Sequence, residues 1–305
     1  MIIVLGSINM DLVFVADHAP EAGETILLKD YSLFPGGKGA NQAVASARMG
    51  ASVMMAGCVG DDGFGQQMRD TLRQQGIDIS TIHVQPEGRT GTAVITVDKT
   101  GENRIMVASG TNAAVSADLV DDKHLAAGRT ILMQMEIPPE QVKAMARRAY
   151  GKVDQVILNL APMVDPGDET LAHVDMLILN EIEIVQLAAA RQLPHDQGYE
   201  QAAARMAKDF SITCMITLGT AGAKAFLPDG RVMAAPALKI DHVVDTTGAG
   251  DAFCGVLAAA LDQGASLEQA MNQACVAGSL ACLKLGAMSS YPQRHEVEEA
   301  LKAAA

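Results

Sequence analysis

Tryptophan is absent from this chain of 305 residues, and aromatic residues make up only 3% of it. A site that grips a planar base between rings is therefore disfavoured, although Phe14, Tyr31 or Phe34 could still serve in one. Positive charge is also short: 23 Lys and Arg against 36 Asp and Glu leave a formal charge of −13. That balance excludes a broad basic surface for nucleic acid or an anionic membrane, although a small anion can still bind at a locally positive point. Gly, Asp, Lys or Gln interrupts the apolar runs every few residues, and the opening MIIVLGSINMD has neither a basic leader nor a cleavage-like site. A soluble, cytoplasmic protein is expected. The cysteines at 58, 214, 254, 275 and 282 form no CxxC pair and fall mostly inside apolar runs, which excludes a disulfide framework or a zinc site and suits reduced core thiols. Two phosphate-loop signatures are missing as well. GGKG (36–39) lacks the GxxxxGKS/T spacing and GSINMD (6–11) lacks GxGxxG, so a P-loop NTPase or a Rossmann dehydrogenase is excluded.

What is present is 49% hydrophobic sequence, enough for a large core in one α/β domain or two. The hydrophobic period switches repeatedly between strand-like and helix-like, with Gly, Pro or Asp at the switches. Residues 2–6, 52–60, 129–135, 155–160, 176–180 and 213–219 read as strands, several of them apolar on both faces, as in a parallel sheet covered by helices on each side. Segments 40–50, 64–76, 139–151 and 200–210 read as amphipathic helices, and a further one runs from about His295 to the C-terminus. Two segments break the rhythm. Residues 11–34 read as two strands around a Pro/Gly loop, and 90–109 as a hairpin with KTGE (99–102) at its tip. They form either a small β-sheet lid over a site or an antiparallel extension of the main sheet. A lid with exposed strand edges seeks a partner, so a homodimer through it is expected.

Polar residues and glycines collect at the expected strand ends. DTTGAGDAF (245–253) follows a short expected strand, HVVD (242–245), and opens a helix reaching about Gly264. Backbone N–H groups at a helix start lack intrahelical partners and carry roughly half a positive charge, so Gly248, Ala249 and Gly250 suit a phosphate or a developing anion. Asp251 is either a first-turn acid that complements the dipole or a base that takes a proton from an attacking hydroxyl. In GSINMD, Ser7, Asn9 and Asp11 share one face if the first strand continues, and an amide beside a carboxylate can grip neighbouring sugar hydroxyls; a polar turn closing the strand is the other reading. FPGGKGANQAVA (34–45) is a Gly-rich turn opening a helix, with Lys38 and Asn41 at its mouth. Asn180 and Glu183 in NEIE stand where α/β proteins place ligand groups, and they equally make an N-cap and its capping-box partner. TLGTAG (217–222) is a third Gly-bearing strand end.

In this order GSINMD, PGGKGANQA, NEIE, TLGTAG and DTTGAGDAF resemble the ribokinase-like (PfkB) family of carbohydrate kinases, over essentially the whole chain. The resemblance implies one kinase domain over 1–305: a three-layer α/β sandwich with a mostly parallel central sheet and a small β-sheet lid at about 11–34 and 90–109. It implies ATP with Mg2+ as phosphoryl donor and a sugar hydroxyl as acceptor. Asp251 would be the base and the 248–251 turn the anion hole, while Asn9, Asp11, Gly37, Lys38, Asn41 and Glu136 would hold the sugar. Asn180, Thr217, Leu218, Gly219, Thr220, Ala221, Gly222, Gly248, Ala249, Gly250 and Cys275 would meet ATP, and Glu183 would act on Mg2+ through water. Cys275 stands where such kinases often carry a histidine near the adenine. An activating monovalent cation, K+, would sit at Asp245, Thr247, Ala281, Lys284, Gly286 and Ser290, partly on backbone carbonyls. Phosphorylation of D-ribose at its 5-hydroxyl is the expected reaction. The alternatives are another sugar or nucleoside kinase of the family, for deoxyribose, fructose or adenosine, and a noncatalytic sugar-binding regulator.

Overall fold

The computed structural model describes residues 1–99, 103–196 and 198–304. The chain opens with β1 (Ile2–Leu5), leaves the first sheet for β2 (Asn9–Val15) and β3 (Ser32–Gly36), and returns through α1 (Lys38–Arg48) to β4 (Val53–Gly60), α2 (Gly63–Gln74) and β5 (Ile82–Gln85). A second excursion, β6 (Gly91–Val97) and β7 (Asn103–Ala108), precedes short 3-10 turns and β8 (Thr130–Gln134). There follow α3 (Pro139–Ala149), β9 (Gln155–Asn159), the short α4 (Asp168–Leu171), β10 (Met176–Asn180), α5 (Glu181–Ala190), α6 (Tyr199–Phe210) and β11 (Thr213–Thr217). The hairpin of β12 (Ala223–Phe226) and β13 (Val232–Ala235) then leads to α7 (Ala249–Asp262), α8 (Leu267–Ala281) and α9 (Arg294–Ala304).

The main sheet runs β13-β12-β11-β10-β9-β8-β1-β4-β5 and is parallel except at the β12 and β13 edge. Its central strand shows why. All of IIVL is buried, Ile2 and Val4 in a core with residues of α1, α7 and α8, Ile3 and Leu5 in a second core with residues of α3, α5 and α6. A period of two with no polar position thus builds one core on each face, and each such buried side chain contributes roughly 1.5–3 kcal/mol. No helix among the described residues is long and apolar enough to cross a membrane.

The second sheet is separate from the first and runs β3-β2-β6-β7, with β2 and β6 parallel and the outer strands antiparallel. Residues 100–102 of the expected KTGE tip lie outside the described residues. Two expectations need correction. The first strand does not continue through GSINMD: β1 stops at Leu5, because the Ile8 N–H donates to Asn112 Oδ1 at 2.9 Å and the Ile8 carbonyl accepts from Asn112 Nδ2 at 3.2 Å, so a side chain replaces the ladder. Asn9 and Asp11 still alternate on β2, but Ser7 stands outside it. HVVD is not a strand either. The N–H groups of Val244 and Asp245 turn to the Cys282 carbonyl, at 2.8 and 3.3 Å, instead of pairing with β13, and Val243 and Val244 stay about half exposed.

Helices α1 and α7 meet along small residues, and this contact sets the spacing of the site described below. A Cβ added to Gly255 would lie 2.5 Å from the Gln42 carbonyl oxygen and 2.6 Å from Ala45 Cβ, while Ser46 Oγ donates to the Gly255 carbonyl at 2.9 Å. Gly255→Ala is expected to lower stability by about 1–3 kcal/mol, seen as a Tm several degrees lower in a thermal scan. An unchanged Tm would mean that the two helices have slack.

Candidate active site

Strand order reverses around β1, which is followed outward by β4 on one side and by β8 on the other, so a crevice opens outside the carboxyl ends of β1 and β8. Ser7 Oγ, just past β1, donates to Glu136 Oε2 at 2.6 Å, and the Lys38 backbone N–H donates to the same oxygen at 3.1 Å. Gly37 makes this approach possible. Its φ is 86°, and a Cβ there would lie 2.7 Å from the Asn9 nitrogen. Asn9 is buried and its Oδ1 accepts from Asn112 Nδ2 at 2.6 Å, which turns the Asn9 amide NH2 outward as a donor. Asp11 packs against Gly36, where a Cβ would fall 2.2 Å from Asp11 Oδ2.

Asp251 lies in the first turn of α7, behind the left-handed N-cap Gly248, and is 7% exposed. Neighbouring residues of α1 hold its two oxygens: Asn41 Nδ2 donates to Oδ2 at 3.0 Å and Gln42 Nε2 to Oδ1 at 2.9 Å. A carboxylate has about four acceptor positions, so room remains for a substrate hydroxyl. Asn41 Oδ1 is buried without a hydrogen-bond partner. The charge of Asp251, ahead of an opposing burial effect, raises the Lys38 pKa, with Glu136 and Glu183 adding to it, so Lys38 remains an ammonium facing this cluster.

A cavity of about 170 Å3 brings together Lys38, Asn180, Glu183, Thr217, Gly248, Gly250 and Asp251. Thr217 and Gly250 also line a larger cavity of about 590 Å3, with Gly219, Thr220, Gly222, Ala249 and Cys275. Leu218 packs toward the core instead and Ala221 is exposed; neither lines these cavities. A further cavity of about 380 Å3 is bounded by Asn9, Asn112, Glu136, Met135, Pro138 and Pro162. Asn180 and Glu183 form the capping box: Asn180 Oδ1 accepts from the Glu183 N–H, and Glu183 Oε2 from the Asn180 N–H, both at 2.8 Å. Burial raises the Glu183 pKa, against the Asn180 hydrogen bond and Lys38. Asp245 accepts the N–H groups of Thr247 and Gly286, each at 2.9 Å; burial is the largest single effect on it and raises its pKa, but the hydrogen bonds from the Thr247 side chain and backbone and the Gly286 backbone together lower it. Of the other residues expected beside it, Ala281 ends α8, Ser290 is buried, and the exposed Lys284 ammonium pairs with Glu296 at 3.7 Å.

Residues 1–294 match the pfkB family of carbohydrate kinases. The chain belongs to that family. A ribokinase of Haemophilus influenzae is 36% identical over 98% of this chain and 97% of its own length. A deoxyribokinase of Salmonella typhimurium is 32% identical over 98% of both chains. The structure of Arabidopsis thaliana ribokinase complexed with ribose and ATP superposes with a TM-score of 0.90 at 30% identity, covering 99% of this chain and 98% of that one. As a pfkB carbohydrate kinase the chain is a phosphotransferase acting on a sugar hydroxyl. Its three-layer architecture with a separate small sheet agrees with the expectation from the motifs.

Sequence reasoning passed over four amides that organise this pfkB site: Gln42, Asn112, Gln134 and Asn159, all buried. Gln42 and Gln134 did carry a signal, since each is a polar residue at a core position of an apolar run. Asp11 yields a test. Its pKa is pushed up to about 7 by burial first, then by Glu136 and Asp251, with Lys38 opposing. If the ionised form grips the sugar, KM for the sugar should rise about tenfold from pH 8 to pH 6. The folded-state pKa also lies above the ordinary 3.8, so stability falls as pH rises from about 3.8 to 7 and the full penalty is present above 7. Asp11→Asn should therefore raise Tm at pH 8 more than at pH 5 while weakening sugar binding. An equal Tm change at both pH values would refute the raised pKa.

Proposed function

We propose that this chain is a ribokinase, converting D-ribose and ATP to D-ribose 5-phosphate and ADP. The observation that carries the reading is the Asp251 carboxylate, held by Asn41 and Gln42 at the N-terminus of α7, where it lines one cavity with Lys38, Gly248 and Gly250 and lies within electrostatic reach of Asp11, while Asn9 and Glu136 line another. Asp251 takes the proton of the 5-hydroxyl as that oxygen attacks the γ-phosphorus and ADP leaves. Lys38 and the N–H groups of Gly248 and Gly250 offset the charge that develops on the transferring group, the Ala249 N–H being held by the Thr246 carbonyl at 3.2 Å. Asn9, Asp11, Gly37, Lys38, Asn41 and Glu136 hold the sugar. The cavity bounded by Thr217, Gly219, Thr220, Gly222 and Cys275 takes the nucleotide.

No group of three or more His, Cys, Asp or Glu suited to a metal occurs among the described residues. Mg2+ commonly uses one or two carboxylates with substrate phosphates and keeps several waters, which fits Glu183, whose Oε1 the capping box leaves uncommitted. Bound there, it would neutralise phosphate charge. For K+, Asp245 draws the Thr247 and Gly286 backbones together beside the anion hole; Lys284 would contribute its carbonyl, its ammonium being turned to Glu296. Val15, Leu33, Ile105, Met106 and Val107 of the second sheet, with Tyr31 just before β3, are exposed apolar side chains, which supports its role as a lid through which two copies pair. Cysteines that are free, with Cys58, Cys214, Cys254 and Cys275 buried, suit the cytoplasm.

Asp251→Asn is expected to lower kcat by roughly 10²- to 10⁴-fold with sugar and ATP binding kept. Near-normal turnover would remove Asp251 as base. The acidic pair of acceptor oxygens on Asp11 suits vicinal hydroxyls, so loss of the 2-hydroxyl should cost about 1–3 kcal/mol, or about 5- to 150-fold in kcat/KM. Measured side by side with fructose and adenosine, ribose should exceed 2-deoxyribose by that margin; a win for any other acceptor keeps the kinase and overturns ribose.

A further inference from the structure

Gln42 has no place in sugar or nucleotide recognition as described above, yet it is fully buried and all its hydrogen-bonding groups are committed. Its Nε2 donates to Asp251 Oδ1 at 2.9 Å and to Asn159 Oδ1 at 3.0 Å, while its Oε1 accepts from Gln134 Nε2 at 2.7 Å. The orientation of the amide follows from its neighbours. Asn159 Nδ2 donates to the Ile178 carbonyl on β10 at 3.2 Å, which turns Asn159 Oδ1 toward Gln42 as an acceptor. Asp251 presents a second acceptor, so the Gln42 NH2 group must face both. A reversed amide would set its oxygen against two other oxygens. The chain of bonds therefore runs from the backbone of the central sheet, through Asn159 and Gln42, to one oxygen of Asp251, and Asn41 fixes the other oxygen from the preceding position on α1.

We infer that Gln42 is a positioning residue for the phosphoryl-transfer step, locking the plane of the Asp251 carboxylate so that its remaining lone pairs meet the acceptor hydroxyl. The inference rests on Asp251 acting as the base. Two amide donors on two oxygens stop rotation about the Cβ–Cγ bond, which one donor does not. A donor to the ionised carboxylate also favours that form, which matters in a buried site crowded with acids. The ionisable groups that face Asp251 are Lys38 at the start of α1, Asp11 on β2, Cys254 on α7 and Tyr291 before α9, with Glu136 and Glu183 reaching the same cluster through Lys38.

The test compares Gln42→Met, which keeps the length and removes the donor, with Gln42→Glu, which keeps the shape and sets a second carboxylate against Asp251. For Gln42→Met the expected result is a kcat lowered about 10- to 100-fold, the range usual for partners that orient a reacting group, with KM for the sugar changed less than about threefold. The acidic limb of the kcat–pH profile should move to higher pH, because a carboxylate that loses a donor to its charged form holds its proton more readily. Gln42→Glu should move that limb further, as two adjacent carboxylates come to share a proton. Gln134→Met serves as the control: it disturbs the same buried cluster without touching Asp251, and should lower Tm while leaving the limb in place. An unmoved limb in both Gln42 variants, an equal shift in Gln134→Met, or a loss confined to KM would each overturn the inference. Should Gln42→Met not fold, the Gln42→Glu profile decides alone. Asp251→Asn measured in parallel separates the two readings, since an active Asp251→Asn enzyme removes the base itself, whereas an inactive one beside unmoved Gln42 profiles removes only the role of Gln42.

Discussion

Two consecutive amides at the start of one helix grip a carboxylate at the start of another, and the rest of the molecule is arranged around that contact. Asn41 and Gln42 reach Asp251 only because α1 and α7 run close together along Gly255, Ala45 and Ser46, where a single extra carbon does not fit. Those helices in turn lie on the sheet face that holds Ile2 and Val4. The small side chains of GANQAVASA are thus a distance requirement: they bring an amide within hydrogen-bonding range of a carboxylate more than 200 positions away, the Gln42 to Asp251 bond spanning 209.

Around this contact the site tolerates an excess of acid. Asp11, Glu136, Glu183 and Asp251 all lie within electrostatic reach of the single ammonium of Lys38. Such crowding costs stability in the free protein and would be relieved by hydrogen-bond donors or positive charge placed among these carboxylates. Neutral donors do the rest of the balancing. Ser7 and the Lys38 backbone hold Glu136, and the capping box holds Glu183, so each carboxylate keeps one oxygen fixed and the other available.

Much of this was legible because the main strands are buried on both faces and therefore read as unbroken apolar runs, and because Gly248–Gly250 before an apolar helix has few other uses. The crossover at Gly6–Ile8 was not. It depends on Asn112, 104 residues away from Ile8, supplying both hydrogen bonds that the ladder would have made. HVVD misled for a related reason, since its β-branched period is genuine but its N–H groups answer to Cys282. The hairpin of β12 and β13 gives only four-residue strands, too short for a period to be counted. Gln42, Gln134 and Asn159 are single polar residues in otherwise apolar core elements. Only their convergence in space shows that they form one network, and no spacing in the sequence announces it.

Both excursions into the second sheet begin and end at nearly the same place. The Asn9 nitrogen lies within a Cβ's reach of Gly37, and the Thr111 N–H closes on the Arg89 carbonyl at 2.8 Å, so each detour is cinched at its neck. A segment tied off in this way is a module in the evolutionary sense. Its strands and connecting loops can lengthen, shorten or change surface without moving the sheet beneath, because the neck transmits no change in length. Change in the second sheet is thereby confined to one face of the molecule, while the amide-held carboxylate of α7 keeps its place on the main sheet.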